Sequence, residues 1–190
     1  MKKKLSLSLG LVLLALLALI SYGCGAASEQ SAEGPADSQT EQDAAEVAES
    51  EPVYAPDFTV KDRDGNDVHF SDLTGKPVIL NLWASWCPPC RAELPDFDAA
   101  YQTYGEQIRF MMIDLCDGQS ETPATGAAFV DEEGYSFPVY FDTTGSAASV
   151  YQAFAIPMTI GVNENGEIAA VYNGALSGEQ VTALVSKLLP

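Results

Sequence analysis

The chain is poor in the residues that build most metal and hydrolytic sites. It has one histidine, His69, and four cysteines, Cys24, Cys87, Cys90 and Cys116, in 190 residues. Zinc takes four ligands, and only Cys87 and Cys90 stand in a paired spacing, so that pair reads as a redox dithiol in preference to half of a metal site, and no metal is expected. Four unevenly spaced cysteines are also too few to staple a small disulfide-rich scaffold. The fold must therefore rest on its core, and a composition 47% hydrophobic supplies one core of ordinary size. Basic residues are scarce: nine against 27 acidic ones, a net charge of −18, which excludes nucleic acid as a partner because its phosphates would be repelled. No internal repeat is visible, and no apolar run reaches the 18 or so residues of a membrane-spanning helix.

The longest apolar run, densest from Leu11 to Ile20, follows Lys2, Lys3 and Lys4 and is followed by Gly23 and Gly25. That order is a secretory leader over residues 1–23, and its short apolar part favours cleavage over anchoring. Cys24 stands where the cut should fall. A cysteine there resembles the lipobox of bacterial lipoproteins, which implies a diacylglyceryl group on Cys24 and a lipid anchor at the membrane. Ser21, Tyr22 and Gly23 depart from the usual lipobox, which has leucine three places before the cysteine, so an ordinary leader followed by a plain thiol stays open. Residues 24–52 carry eight acidic residues and no basic or aromatic one. Such a segment buries too little apolar surface to offset its ordering entropy and reads as an acidic disordered tether that an anionic surface would repel, with transient helix over Ala44 to Glu49 as the competing reading.

The folded domain is expected over residues 53–190. Phe58 to Lys61 and Val68 to Phe70 alternate as strands around Asp64-Gly65, a hairpin signal. Val78 to Trp83 is a buried strand, and Pro88 and Pro89 fit only the first turn of a helix, so the helix begins beside Cys87 and runs to about Tyr104, ending at Gly105. A cysteine at a helix N-terminus is favoured as thiolate by the unpaired N–H groups and the macrodipole, and the thiolate is the nucleophile. Ile108 to Leu115 is a second core strand. A helix over Pro123 to Glu133, a strand at Val139 to Phe141, a helix over Ser146 to Phe154, strands at Met158 to Val162 and Glu167 to Tyr172, and a helix capped by Ser177 complete the pattern. His69, beside Phe70, is expected to face solvent and take no part in chemistry.

Trp83-Ala-Ser-Trp-Cys-Pro-Pro-Cys-Arg-Ala-Glu-Leu-Pro95 resembles the active site of the thioredoxin superfamily, in its TlpA-like or ResA-like branch of membrane-tethered extracytoplasmic thiol-disulfide oxidoreductases. The resemblance runs from about Ala55 to the C-terminus. It implies an α/β thioredoxin fold: a mixed sheet flanked by helices, an N-terminal β-hairpin and a central helix-strand insertion. It also implies disulfide exchange without a cofactor, with Cys87 attacking and Cys90 resolving. Pro157 resembles the superfamily's cis-proline opposite the cysteines, with Ile156 offering backbone to substrate; Trp86, Pro88 and Pro89 would line the same face. Partners implied are protein disulfides, including those of apocytochrome c and methionine sulfoxide reductase, and a membrane thiol-reducing protein as electron donor.

Resolution by Cys90 needs a base. Where thioredoxin carries a buried carboxylate this chain has Asn81, which cannot titrate, so Glu93, one turn beyond Cys90 on the same helix face, is the expected acid/base group. The bland alternative is a surface glutamate stabilising the first turn. Pro89 lacks an N–H to aim at the Cys87 sulfur, which predicts a weakly stabilised thiolate and a potential near thioredoxin's, around −270 mV, hence a reductase. Cys116 ends a core strand on the side where open sheets bind substrates, and reads as an inert thiol in preference to a third redox cysteine. Competing functions are a peroxiredoxin-like thiol peroxidase and a binding module with a structural dithiol. The first is disfavoured by Ala84-Ser85-Trp86, where a Thr-x-x pattern would precede the peroxidatic cysteine.

Overall fold

The computed structural model describes residues 51–190. The leader (1–23), Cys24 and all but the last two residues of the tether (24–52) lie outside the described residues. Seven strands form one sheet, with β1 at Thr59–Lys61, β2 at Asp67–His69, β3 at Val78–Trp83, β4 at Arg109–Leu115, β5 at Val139–Asp142, β6 at Met158–Val162 and β7 at Ile168–Asn173. Their order is β2-β1-β5-β4-β3-β6-β7. β3, β4 and β5 run parallel; on one side β6 pairs antiparallel with β3 and β7 antiparallel with β6, and on the other β1 pairs antiparallel with β5 and β2 antiparallel with β1. This is the mixed α/β thioredoxin-like sheet that the sequence predicts, with the helix-strand insertion contributing α2 (Pro123–Glu133) and β5.

β3 is a central strand, and every one of its six residues is buried, five of them apolar and the sixth Asn81. Its side chains alternate between two cores. Ile79 and Trp83 join Leu94, Phe97, Val181 and Leu184 beneath α1 (Pro88–Tyr104) and α4 (Gly178–Leu188). Val78, Leu80 and Leu82 join Phe58, Phe70, Met111 and Ile160 on the opposite face, closed by α3 (Ser146–Val150). Asn81 shares the face of Ile79 and Trp83, which turns a polar side chain toward α1.

One local expectation is corrected. The helix expected over Ser146 to Phe154 stops at Val150, because Gln152 takes a left-handed conformation (φ 52°) that turns the chain toward the next strand. Ala153-Phe154-Ala155 is helical in composition only, and β6 fixes where the chain must go. Gly105 ends α1 as expected, in the right-handed region (φ −60°). Its glycine is needed for space, since a Cβ there would lie 2.7 Å from Tyr101 O.

Candidate active site

α1 starts at Pro88 with Cys87 as its N-cap, and the prolines occupy the first-turn positions where a missing N–H leaves no bond unmade. Cys87 and Cys90 are joined by a disulfide with their Cα atoms 5.3 Å apart. Cys90 N–H points at Cys87 Sγ across 3.3 Å, so a backbone donor is already aimed at the sulfur that would carry charge on reduction. Cys90 is wholly buried and Cys87 retains 3% of its surface. Cys87 Sγ also lies 3.8 Å from Ile156 O, and the Ile156–Pro157 peptide bond is cis. The end of the α3–β6 connection thus stands against the disulfide. Trp86, 58% exposed, and Phe154, 93% exposed, leave two aromatic rings bare, one on each of the two segments that meet at Cys87 Sγ.

Glu93 is buried, one turn after Cys90. One of its oxygens accepts Asn81 Nδ2 at 2.7 Å and the other accepts Leu176 N–H at 2.7 Å. Burial lifts its carboxyl to about 7, more than the two donors lower it. The surface-glutamate alternative is thereby excluded: this is an interior carboxyl that titrates near neutrality. Asn81 also donates to Thr159 Oγ1 at 3.0 Å, which ties β3 to β6.

His69 is exposed, its Nδ1 3.0 Å from Thr59 Oγ1 and remote in sequence and sheet position from the cysteines. The Arg91 guanidinium lies 5.0 Å from the centre of the Phe129 ring and 3.6 Å from Glu133, so its charge is answered on α2 and not directed at the sulfurs. Cys116 is free and half-buried; burial and then the Asp114 carboxylate push its thiol well above the usual range, which keeps it an unreactive thiol at neutral pH. Sequence reasoning missed three residues. Phe154 was absorbed into a helix that does not reach it, and the buried pair Asp114 and Glu121 come from separate elements with no periodic signal to join them.

Thiol-disulfide oxidoreductases of the thioredoxin fold are the class that this sheet order, with a disulfide at the start of α1 and a cis-proline against it, defines. The AhpC/TSA family model matches residues 53–171. The thiol-disulfide oxidoreductase ResA of Oceanobacillus iheyensis is 36% identical over 141 residues, covering 72% of this chain and 71% of that protein. Among solved structures, StoA from Bacillus subtilis superposes with a TM-score of 0.60 at 27% identity, over 70% of this chain and 99% of that one. The exposed lipoprotein thioredoxin Etrx1 of Streptococcus pneumoniae gives 0.59 at 25% identity, over 69% and 99%. The chain belongs to the AhpC/TSA family, and within reach of that match it is one of the ResA-type thiol-disulfide oxidoreductases.

Proposed function

We propose that this oxidoreductase acts as a reductant of protein disulfides outside the cytoplasmic membrane, held there by a lipid on Cys24 and spaced from the surface by the acidic segment 24–52. In the reduced protein the Cys87 thiolate attacks one sulfur of a substrate disulfide. A mixed disulfide forms and the other substrate sulfur leaves as thiolate. Cys90, its proton taken by Glu93, then attacks Cys87 Sγ and breaks the intermolecular bond. The second substrate thiol is released, and two electrons have passed from the dithiol to the substrate. A membrane thiol-reducing protein restores the dithiol. Substrate backbone lies along Ile156 and Pro157, with Trp86, Pro88, Pro89 and Phe154 forming an apolar rim that selects extended segments with an apolar residue near the cysteine. Apocytochrome c and methionine sulfoxide reductase are the substrate classes to try first.

The observation that carries this reading is Glu93, an interior carboxyl poised near neutrality one turn from the buried cysteine that must lose a proton. The extracytoplasmic site is supported by the leader and by the likeness to a pneumococcal protein described as an exposed lipoprotein. The reduced full chain should reduce insulin disulfides in stoichiometric or dithiothreitol-driven assays; failure to do so would leave the dithiol structural. The AhpC/TSA match favours one second reading, a thiol peroxidase. Consumption of hydrogen peroxide at a rate exceeding insulin reduction would establish it, against the Ala84-Ser85-Trp86 sequence before Cys87.

A further inference from the structure

On the far side of the loop that delivers Cys87 lies a second pair of buried carboxyls that the exchange reaction leaves unused. Asp114 stands near the end of β4 and Glu121 just before α2, and neither has any exposed surface. Ser85, two residues before Cys87, donates its backbone N–H to Glu121 Oε2 at 3.1 Å and its hydroxyl to the same oxygen at 2.7 Å. The remaining oxygens, Glu121 Oε1 and Asp114 Oδ1, have no donor among the described residues. No lysine, arginine or histidine among the described residues pairs with either carboxyl. α2 packs onto the pair through Gly126, where any Cβ would collide with Asp114 Oδ2. The approach is closed to bulk water and to a compensating cation alike.

Two ionised carboxylates in such a place repel each other in a low dielectric with nothing to offset them. One proton removes a charge and turns the repulsion into a charge-assisted hydrogen bond between the two carboxyls. We propose that Asp114 and Glu121 are positioning residues that share one proton, and that this proton holds Ser85, and through it the loop carrying Trp86 and Cys87, in the geometry disulfide exchange requires. The inference rests on the thiol–disulfide reading of Cys87 and Cys90. Burial first and the Glu121 charge second push the Asp114 carboxyl up to about 8, in agreement with a pair that keeps its proton at neutral pH.

The surrounding groups leave this proton alone near pH 8. Cys116, at the end of β4, has its Sγ 3.7 Å from Asp114 Oδ2 and stays protonated. Asp142, at the end of β5, is satisfied by Ser146 and Ala148 N–H groups at 2.8 and 2.9 Å. Asp117, whose Oδ1 accepts the Glu121 N–H at 2.9 Å, is held down at about 2 by Ser120 and the loop amides, so it is ionised throughout. β3 presents Trp83 and α2 presents Gly126, neither titratable. Glu93 on α1 titrates at about 7 in its own hydrogen-bond set. As pH rises past the pair's value the two charges part, Ser85 loses its acceptor and the loop loosens. Thiolate chemistry alone accelerates with pH. The pair therefore opposes that rise.

The test compares single-turnover reduction of insulin by the reduced full chain at pH 7 and pH 9. Asp114→Asn supplies a donor that never titrates, and Glu121→Gln keeps an acceptor for Ser85 without the charge. With a wild-type value of about 8, one tenth of the molecules retain the proton at pH 9, so the pH 9 to pH 7 rate ratio should rise about tenfold in either variant relative to wild type. Glu121→Leu should slow exchange at both pH values. Independently of activity, infrared spectra of oxidised protein in a Glu93→Gln background should show a protonated carboxyl band at pH 7 that falls to about a tenth of its intensity by pH 9. Should one variant fail to fold by circular dichroism, the other and the infrared titration still report. Unchanged rate ratios, or no such band at pH 7, overturn the proposal. A wild type inert toward insulin but showing the band would instead refute the thiol–disulfide reading.

Discussion

Asn81 and Glu93 meet inside the core through a 2.7 Å hydrogen bond that fastens the first turns of α1 to the central strand. The same amide reaches Thr159 on β6, and the other Glu93 oxygen takes the Leu176 N–H ahead of α4. The Asn81 amide and the Glu93 carboxyl therefore tie α1, β3, β6 and the segment ahead of α4 together, one turn from Cys90. An amide at position 81 leaves a single titrating group in this spot, where an aspartate would set two carboxylates against each other.

Glu93→Gln should slow resolution of the mixed disulfide by about 10²-fold, the scale of a lost acid/base group. A glutamine offers one acceptor oxygen to two donors, so one of Asn81 Nδ2 and Leu176 N–H is left unmade, at a stability loss of about 1–3 kcal/mol. Stopped-flow resolution across pH 6 to 9 checks it. Superimposable profiles for wild type and variant would reduce Glu93 to a structural anchor.

Cys90→Ser should accumulate mixed disulfides through Cys87, and Cys87→Ser should accumulate none. Cys87 sits at the helix N-terminus with a backbone donor on its sulfur, whereas Cys90 has no surface for a partner to reach. Non-reducing gels after exposure to oxidised insulin read the result, and equal trapping by both variants would reverse or abolish the order.

Phe154→Ser should raise KM for protein disulfides several-fold, on the scale of one lost apolar contact, and leave the reaction with a small aromatic disulfide unchanged. The ring is bare in the free protein, so its removal should not lower Tm. Equal loss on both substrates would mean that the residue shapes the sulfur site itself.

Stability should fall as pH rises, through two named groups. Glu93 moves from 4.5 to about 7 on folding and Asp114 from 3.8 to about 8, so the folded state binds more protons between about pH 4 and pH 8. Their protonated forms contribute fully below pH 4, and that contribution is lost as pH passes 7 and then 8. Between pH 5 and pH 8 Tm of the wild type should drop several degrees more than that of Asp114→Asn, at about 2–4 °C per kcal/mol. Parallel Tm curves would show that Asp114 is not protonated in the fold.

Cys24→Ala should move the protein from the membrane fraction to the medium, followed by immunoblotting of fractionated cells. Retention of the variant at the membrane would make the leader an uncleaved anchor.

Much of the fold could be read from the chain because its signals are local. Val78 to Trp83 is an apolar run broken only by Asn81, Pro88-Pro89 can only start a helix, Asp64-Gly65 can hardly avoid a turn, and Ser177 caps the helix that follows it. Glu93 could be found from its spacing to Cys90, but its burial could not, since that depends on Leu176, 83 residues further on. The early end of α3 was hidden because Gln152 adopts a conformation its identity does not demand. Asp114 and Glu121 read as one more polar residue in a strand and one more acid in a loop. Only the packing of α2 on β4 through Gly126 brings them together.

The position of β5 has a bearing on how far this molecule can be trimmed. It lies between β4 and β1, so the N-terminal hairpin hangs from the inserted strand, and not from the β3–β4 pair, through Lys61 opposite Phe141. An insertion spliced into the middle of a sheet cannot be cut out as a surface loop can. Excising it would strand the hairpin without a neighbour and, in the same stroke, remove the helix that closes over the carboxyl that grips Ser85. Shortening the chain toward a minimal redox module would thus have to rebuild one flank of the sheet and the support of the Cys87 loop together.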